Sequence, residues 1–108
     1  NAGSLISTGQ YTTIIGSNAG DALTTASSNT AVGYGALSAE TTGGLNTAVG
    51  VNALGNLNRT SNAENTAVGA NAGTNITTGS ENTIMGSEAG DALTVGNQNV
   101  AIGNQALI

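Results

Sequence analysis

The sequence predicts an all-β protein: a β-solenoid (parallel β-helix or β-roll) of about six 17-residue rungs. Three observations predict it. A phrase closed by glycine recurs as Asn29-Thr30-Ala31-Val32-Gly33, Asn46-Thr47-Ala48-Val49-Gly50 and Asn65-Thr66-Ala67-Val68-Gly69. Looser copies are Thr12-Thr13-Ile14-Ile15-Gly16, Asn82-Thr83-Ile84-Met85-Gly86 and Asn99-Val100-Ala101-Ile102-Gly103. The closing glycines stand 17 residues apart, except Gly50 to Gly69 at 19, and an alanine follows each by three positions. One phrase at a near-constant period marks a chain built of stacked repeats.

Each phrase reads as a short strand. Alternation on period two sends Thr47 and Val49 one way and Asn46 and Ala48 the other. Thr shares its face with Val and Ile, and Val100 takes the Thr slot in the last rung, so the Thr file is expected to point inward. Glycine stops the strand, and the Gly-x-x-Ala step turns a corner. A second extended piece is expected at Ala36-Leu37 and Ala53-Leu54, followed by a Thr/Ser/Gly/Asn turn. Seven places after the glycine stands an aliphatic: Leu23, Leu57, Ile76 and Leu93, with Ile6 in the opening rung. Glu40 departs from that file, which leaves Leu37 to fill the space. Helix loses as an alternative, because each interior glycine costs about 1 kcal/mol there.

In-register stacking places like residues over like. Asn29, Asn46, Asn65, Asn82 and Asn99 are then expected to form an amide ladder. Gly16, Gly33, Gly50, Gly69, Gly86 and Gly103 are expected to stack where no side chain fits. The longer rung has its two extra residues between Leu57 and Asn65. Insertions of this kind lie on one face of a solenoid. The loop Asn58, Arg59, Thr60, Ser61, Asn62 carries the only cation and reads either as a tolerated surface bulge or as a contact loop. A longer echo pairs Ile14–Thr24 with Ile84–Thr94, which differ only at Ile15/Met85 and Asn18/Glu88. Duplication of a four-rung block explains it. The 108 residues form one repeat domain, 1–108, in phase at both ends and read as a piece of a longer fibre.

Composition excludes several functions. Lys and Arg together number 1, against 6 acids, and His is absent. Nucleic-acid binding needs clustered basic residues, and so does an anionic membrane surface. No cysteine is present for a disulfide or thiolate site, and no run reaches membrane-spanning length. No catalytic constellation appears; Glu88 and Asp91 near a corner read as solvated turn carboxylates, and no cofactor or metal is expected. Asp21 and Asp91 lack the Gly/Asp nonapeptide pattern of calcium-binding β-rolls. Asn58-Arg59-Thr60 and Asn75-Ile76-Thr77 are sequons, which arise easily in an Asn- and Thr-rich chain.

The motif Asn-Thr-Ala-Val-Gly-x-x-Ala-Leu, followed by Thr-Thr-Gly-x-x-Asn-Thr-Ala-Val-Gly, resembles the repeat of phage tail-fibre proteins and related bacterial surface fibres. Residues 29–54 carry it most clearly. Asn99-Val100-Ala101-Ile102-Gly103-Asn104-Gln105-Ala106 is similar to the head repeat of YadA-type trimeric autotransporter adhesins, whose period is 14 rather than 17. Both resemblances imply a homotrimer, an extended rod, an extracellular or virion-fibre location and a role in attachment. The implied partners are further copies of the chain, neighbouring fibre domains, and a cell-surface glycan or protein receptor. The sparse aliphatics, 21 Val, Ile and Leu, point the same way. Small Ala and Gly faces of several chains are expected to meet along a shared axis. The alternative is a monomeric ice- or surface-binding solenoid that uses a flat Thr file.

Overall fold

The computed structural model describes residues 1–108 as a stack measuring 36 × 24 × 17 Å. There is no helix. Six three-residue strands form one parallel sheet in sequence order: β1 (Thr13–Ile15), β2 (Thr30–Val32), β3 (Thr47–Val49), β4 (Thr66–Val68), β5 (Thr83–Met85) and β6 (Val100–Ile102). The register pairs Thr with Thr and Val with Val, as in Thr30↔Thr47 and Val32↔Val49, and it survives the long rung as Thr47↔Thr66. The solenoid, its 17-residue period and its phase are therefore as the sequence predicts.

Each rung holds one strand, not two. Ala36-Leu37 and Ala53-Leu54 lie in turns, with Leu37 at φ 53° and Leu54 at φ 50°. The left-handed backbone recurs at fixed phases, for instance before each strand at Tyr11, Ser28, Leu45, Glu64, Glu81 and Gln98. Such residues curl the chain tightly enough to close a rung without a second strand. The turns also stack as ladders: 45 of the 55 backbone hydrogen bonds have at least one partner outside the strands. One file runs Gly20 N to Ala36 O, Leu37 N to Ala53 O, Leu54 N to Ala72 O and Gly73 N to Ala89 O. The Gly-x-x-Ala corner closes as expected, as in Ala53 N to Gly50 O at 3.3 Å.

The glycine file is required by close approach. A Cβ on Gly50 would lie 2.4 Å from Gly69 O, and one on Gly33 2.7 Å from Gly50 O, both at φ near the glycine-only region.

The core lies inside the single coil. Ala31, Ala48, Ala67 and Ala101 point inward from the strands, and Leu23, Leu37, Leu54, Leu57, Ile76 and Ile84 fill the rest. Bulk alternates across the interior. Rungs with Ala31 or Ala48 on the strand carry Leu37 or Leu54 at the corner, whereas Ile14 and Ile84 face Gly20 and Gly90. Close packing makes such pairs interdependent. Because the Ala file is spent on the chain's own core, it cannot line an axis shared between chains.

Candidate functional site

The asparagine ladder forms. Asn82 donates from its backbone N and from Nδ2 to Asn65 Oδ1, at 2.9 and 3.1 Å, and Asn99 does the same to Asn82 Oδ1. Asn46 repeats this on Asn29. The spare Nδ2 hydrogen reaches a turn carbonyl of the next rung: Asn29 to Gly43 O, Asn65 to Gly79 O and Asn82 to Gly96 O. No buried side-chain nitrogen or oxygen lacks a partner. Asparagine therefore takes the inward slot at no desolvation loss.

With Asn and Ala inward, Thr and Val face out. This corrects the expected orientation of the Thr file. Thr30, Thr47 and Thr66 are half-buried at the outer surface, and Thr13 and Thr83 are exposed. Beside them run Ile15, Val32, Val49, Val68, Met85 and Ile102, of which Ile15 is 59% and Ile102 62% exposed. The physical reason is width: the strand slot holds only Ala31 or Ala48 where the corner delivers Leu37 or Leu54, and takes Ile14 or Ile84 where the corner is Gly20 or Gly90, so the interior is filled without Thr or Val. The outcome is a ribbon of two parallel files, one Thr and one aliphatic, along the whole rod. It holds no charged residue. Tyr34 and Val51, one position past their glycines, extend its apolar edge. β1 and β6 each leave one strand edge unpaired.

A second feature lies at the long rung. The loop Asn58–Asn62 is largely exposed and borders a depression of about 410 Å³ lined by Asn58, Arg59, Thr60, Ser61, Thr78, Val95 and Asn97. Arg59 Nη1 donates to Thr78 O, and Nη2 donates to Ser61 Oγ at 3.2 Å. The loop is tied to the rung above, since Thr41 Oγ1 donates to Asn58 Oδ1 and Thr42 Oγ1 donates to Arg59 O.

Glu40 holds that loop from within. It is fully buried, together with Leu37 rather than displaced by it. In regular rungs the residue after the aliphatic donates to the next rung, as Thr24 N does to Thr41 O and Thr77 N to Thr94 O. In the rung that stacks on the long one, Thr41 N donates instead to Glu40 Oε1 at 3.0 Å. The same carboxylate accepts from Gly43 N at 2.9 Å and Arg59 N at 3.1 Å. One buried acid thus supplies the acceptors that a two-residue insertion takes away, which sequence reasoning missed.

Three of the other five carboxylates are engaged at the surface. Gln105 Nε2 donates to Glu88 Oε2 at 2.8 Å, Gln98 Nε2 to Glu81 Oε2 at 3.0 Å, and Asn75 Nδ2 to Asp91 Oδ1 at 2.7 Å. No group of three or more His, Cys, Asp or Glu gathers as a metal cluster. No helix is long and apolar enough to cross a membrane. Comparison with protein-family models, with curated proteins and with solved structures finds no match.

Proposed function

We propose that this chain is a structural and adhesive segment of a homotrimeric fibre, of the phage tail-fibre or bacterial surface-adhesin kind, that contributes to attachment outside the cell. The observation that carries the reading is the uncharged Thr/aliphatic ribbon, which runs the length of the rod and exposes Ile15, Met85, Val100 and Ile102. A contiguous apolar strip on a soluble rod marks a surface that another surface covers. Parallel copies in register would bring Val against Val and Thr against Thr along the axis. The unpaired edges of β1 and β6 suit continuation into neighbouring fibre domains, since free strand edges otherwise template aggregation. The repeat resemblance over residues 29–54 supports the same reading.

The test is the solution mass of the chain by light scattering after gel filtration. The fibre reading expects a mass near three chains, and a monomer across the micromolar range sinks it.

The outward Thr file favours one second reading: a monomer that binds ice or another ordered surface. A flat Thr file on rungs about 4.8 Å apart presents hydroxyls at lattice-like spacing. That reading requires a monomeric mass and inhibition of ice recrystallisation that Thr47→Lys abolishes.

A further inference from the structure

The groove at the long rung carries an inference of its own. Nine places after each closing glycine the rungs present Thr25, Thr42, Arg59, Thr78 and Val95, with Thr8 in the opening rung. The file is threonine except at Arg59 and Val95, and both departures line the same depression, on either side of Thr78. The insertion that carries Arg59 is also the only break in the 17-residue period.

We infer that this groove binds a carboxylate-bearing sugar of a surface polysaccharide or glycan. Arg59 is the sole basic side chain of a chain with net charge −5, so only here does a side chain offer an anion a full positive charge. Its position is fixed from both sides. The backbone N is held by Glu40, the backbone O accepts from Thr42 Oγ1, and the guanidinium is braced by Thr78 O and Ser61 Oγ. Two of the five guanidinium N–H groups are thereby used, and the remaining donors are free to take a carboxylate as a planar fork. A fixed guanidinium loses less conformational freedom on binding than a mobile one. The charge of Glu40 lies behind the Arg59 backbone and is engaged by three N–H groups.

The rest of the lining matches a sugar. Asn58, Thr60, Ser61 and Thr78 offer amide and hydroxyl groups, and Asn97, whose Oδ1 is taken by Ser80 N and Oγ, offers its Nδ2 as a donor. Val95, 63% exposed, gives the C–H face of a pyranose an apolar contact. About 410 Å³ falls in the range of small-ligand sites and fits one or two sugar units. A neutral sugar would leave the guanidinium unanswered, and a simple anion would leave the hydroxyl and amide lining unused.

The inference rests on the attachment reading for the source of the sugar, and its experiment keeps the two separable. Methyl glycosides of glucuronic, galacturonic and N-acetylneuraminic acid, and of neutral glucose and galactose, are titrated into the ¹⁵N-labelled chain by NMR. At least one acidic glycoside is expected to bind tenfold or more tightly than its neutral counterparts. Its shifts should centre on residues 58–61, 78 and 95–97. Arg59→Gln should abolish the preference for acid, and Val95→Thr should weaken binding several-fold while leaving the preference intact. Equal binding of acidic and neutral sugars, no binding of any acidic one, or an Arg59→Gln variant that binds like wild type overturns the inference. The solution mass, measured on the same samples, depends on the ribbon and not on the groove. Loss of sugar binding at a trimeric mass therefore counts against the groove alone.

Discussion

The junction between β4 and β5 and the junction between β3 and β4 solve the same stacking problem with different means. At the regular junction, 17 residues bring Asn82 under Asn65, and both the backbone N and Nδ2 of Asn82 reach Asn65 Oδ1. At the long junction, 19 residues separate Asn46 from Asn65, and only the backbone N of Asn65 still reaches Asn46 Oδ1, at 3.1 Å. Asn46 Nδ2 turns back to Gly44 O of its own rung. Thr41 N loses its carbonyl across the stack and takes the Glu40 carboxylate. Strand register is nevertheless unchanged. A solenoid of this kind fixes its strand and its glycine corner, while rung length is free to vary in one turn provided that every freed N–H finds an acceptor.

That comparison can be broken most forcefully at Glu40. Glu40→Leu installs the residue type of the neighbouring rungs but strands the N–H groups of Thr41, Gly43 and Arg59. The expected loss is about 2–4 kcal/mol, read by chemical denaturation at fixed chain concentration, since self-association would otherwise shift the midpoint. Deleting Ser61 and Asn62 in the same variant restores the 17-residue spacing and should recover most of the loss. Deletion with Glu40 retained should instead destabilise, because the carboxylate then occupies an interior that no longer offers it donors. Additive effects of the two changes would contradict a coupled role.

A smaller difference sharpens the comparison within the ladder. The Asn82 side chain takes part in four hydrogen bonds: Nδ2 to Asn65 Oδ1 and Gly96 O, and Oδ1 from the N and Nδ2 of Asn99. That of Asn46 takes part in three: Nδ2 to Asn29 Oδ1 and Gly44 O, and Oδ1 from Asn65 N. Asn82→Ala is therefore expected to cost about 1 kcal/mol more than Asn46→Ala. Equal costs would mean that the ladder is as continuous across the long rung as elsewhere.

What repeats was legible in the sequence. The glycine corners, the asparagine ladder and the strand phase each recur through the chain, and their stacking follows from register alone. What depends on competition between side chains was not. The second strand fails because left-handed residues such as Leu37 and Leu54 close the rung, and nothing in an Ala-Leu pair announces a positive φ. The Thr file faces out because a narrow interior is already filled by Ala31, Ala48 and Ala67 with Leu and Ile from the turns, or by Ile14 and Ile84 where the corner is glycine. A reading that sends Val inward on hydrophobicity alone misses that competition. Glu40 carried a signal that two separate observations split: an acid in the aliphatic file, and an insertion in the very next rung. Only the hydrogen bonds join them. The loop at 58–62 stood out through its lone arginine, but its placement beside Val95 needed the stack.

The central claim is that the outward Thr/aliphatic ribbon is covered by other copies of the chain. The native sequence has no cysteine, so a single introduced thiol reports its own surroundings. Val49→Cys sits mid-ribbon, and Thr25→Cys sits on an exposed turn of the same rod. The measurement is the rate of iodoacetamide alkylation of each variant at the concentration used for light scattering. The account predicts that the thiol at position 49 reacts at least tenfold more slowly than the one at position 25, and that the gap closes as dilution separates the chains. Alkylation of both at the same rate, at every concentration, would contradict it.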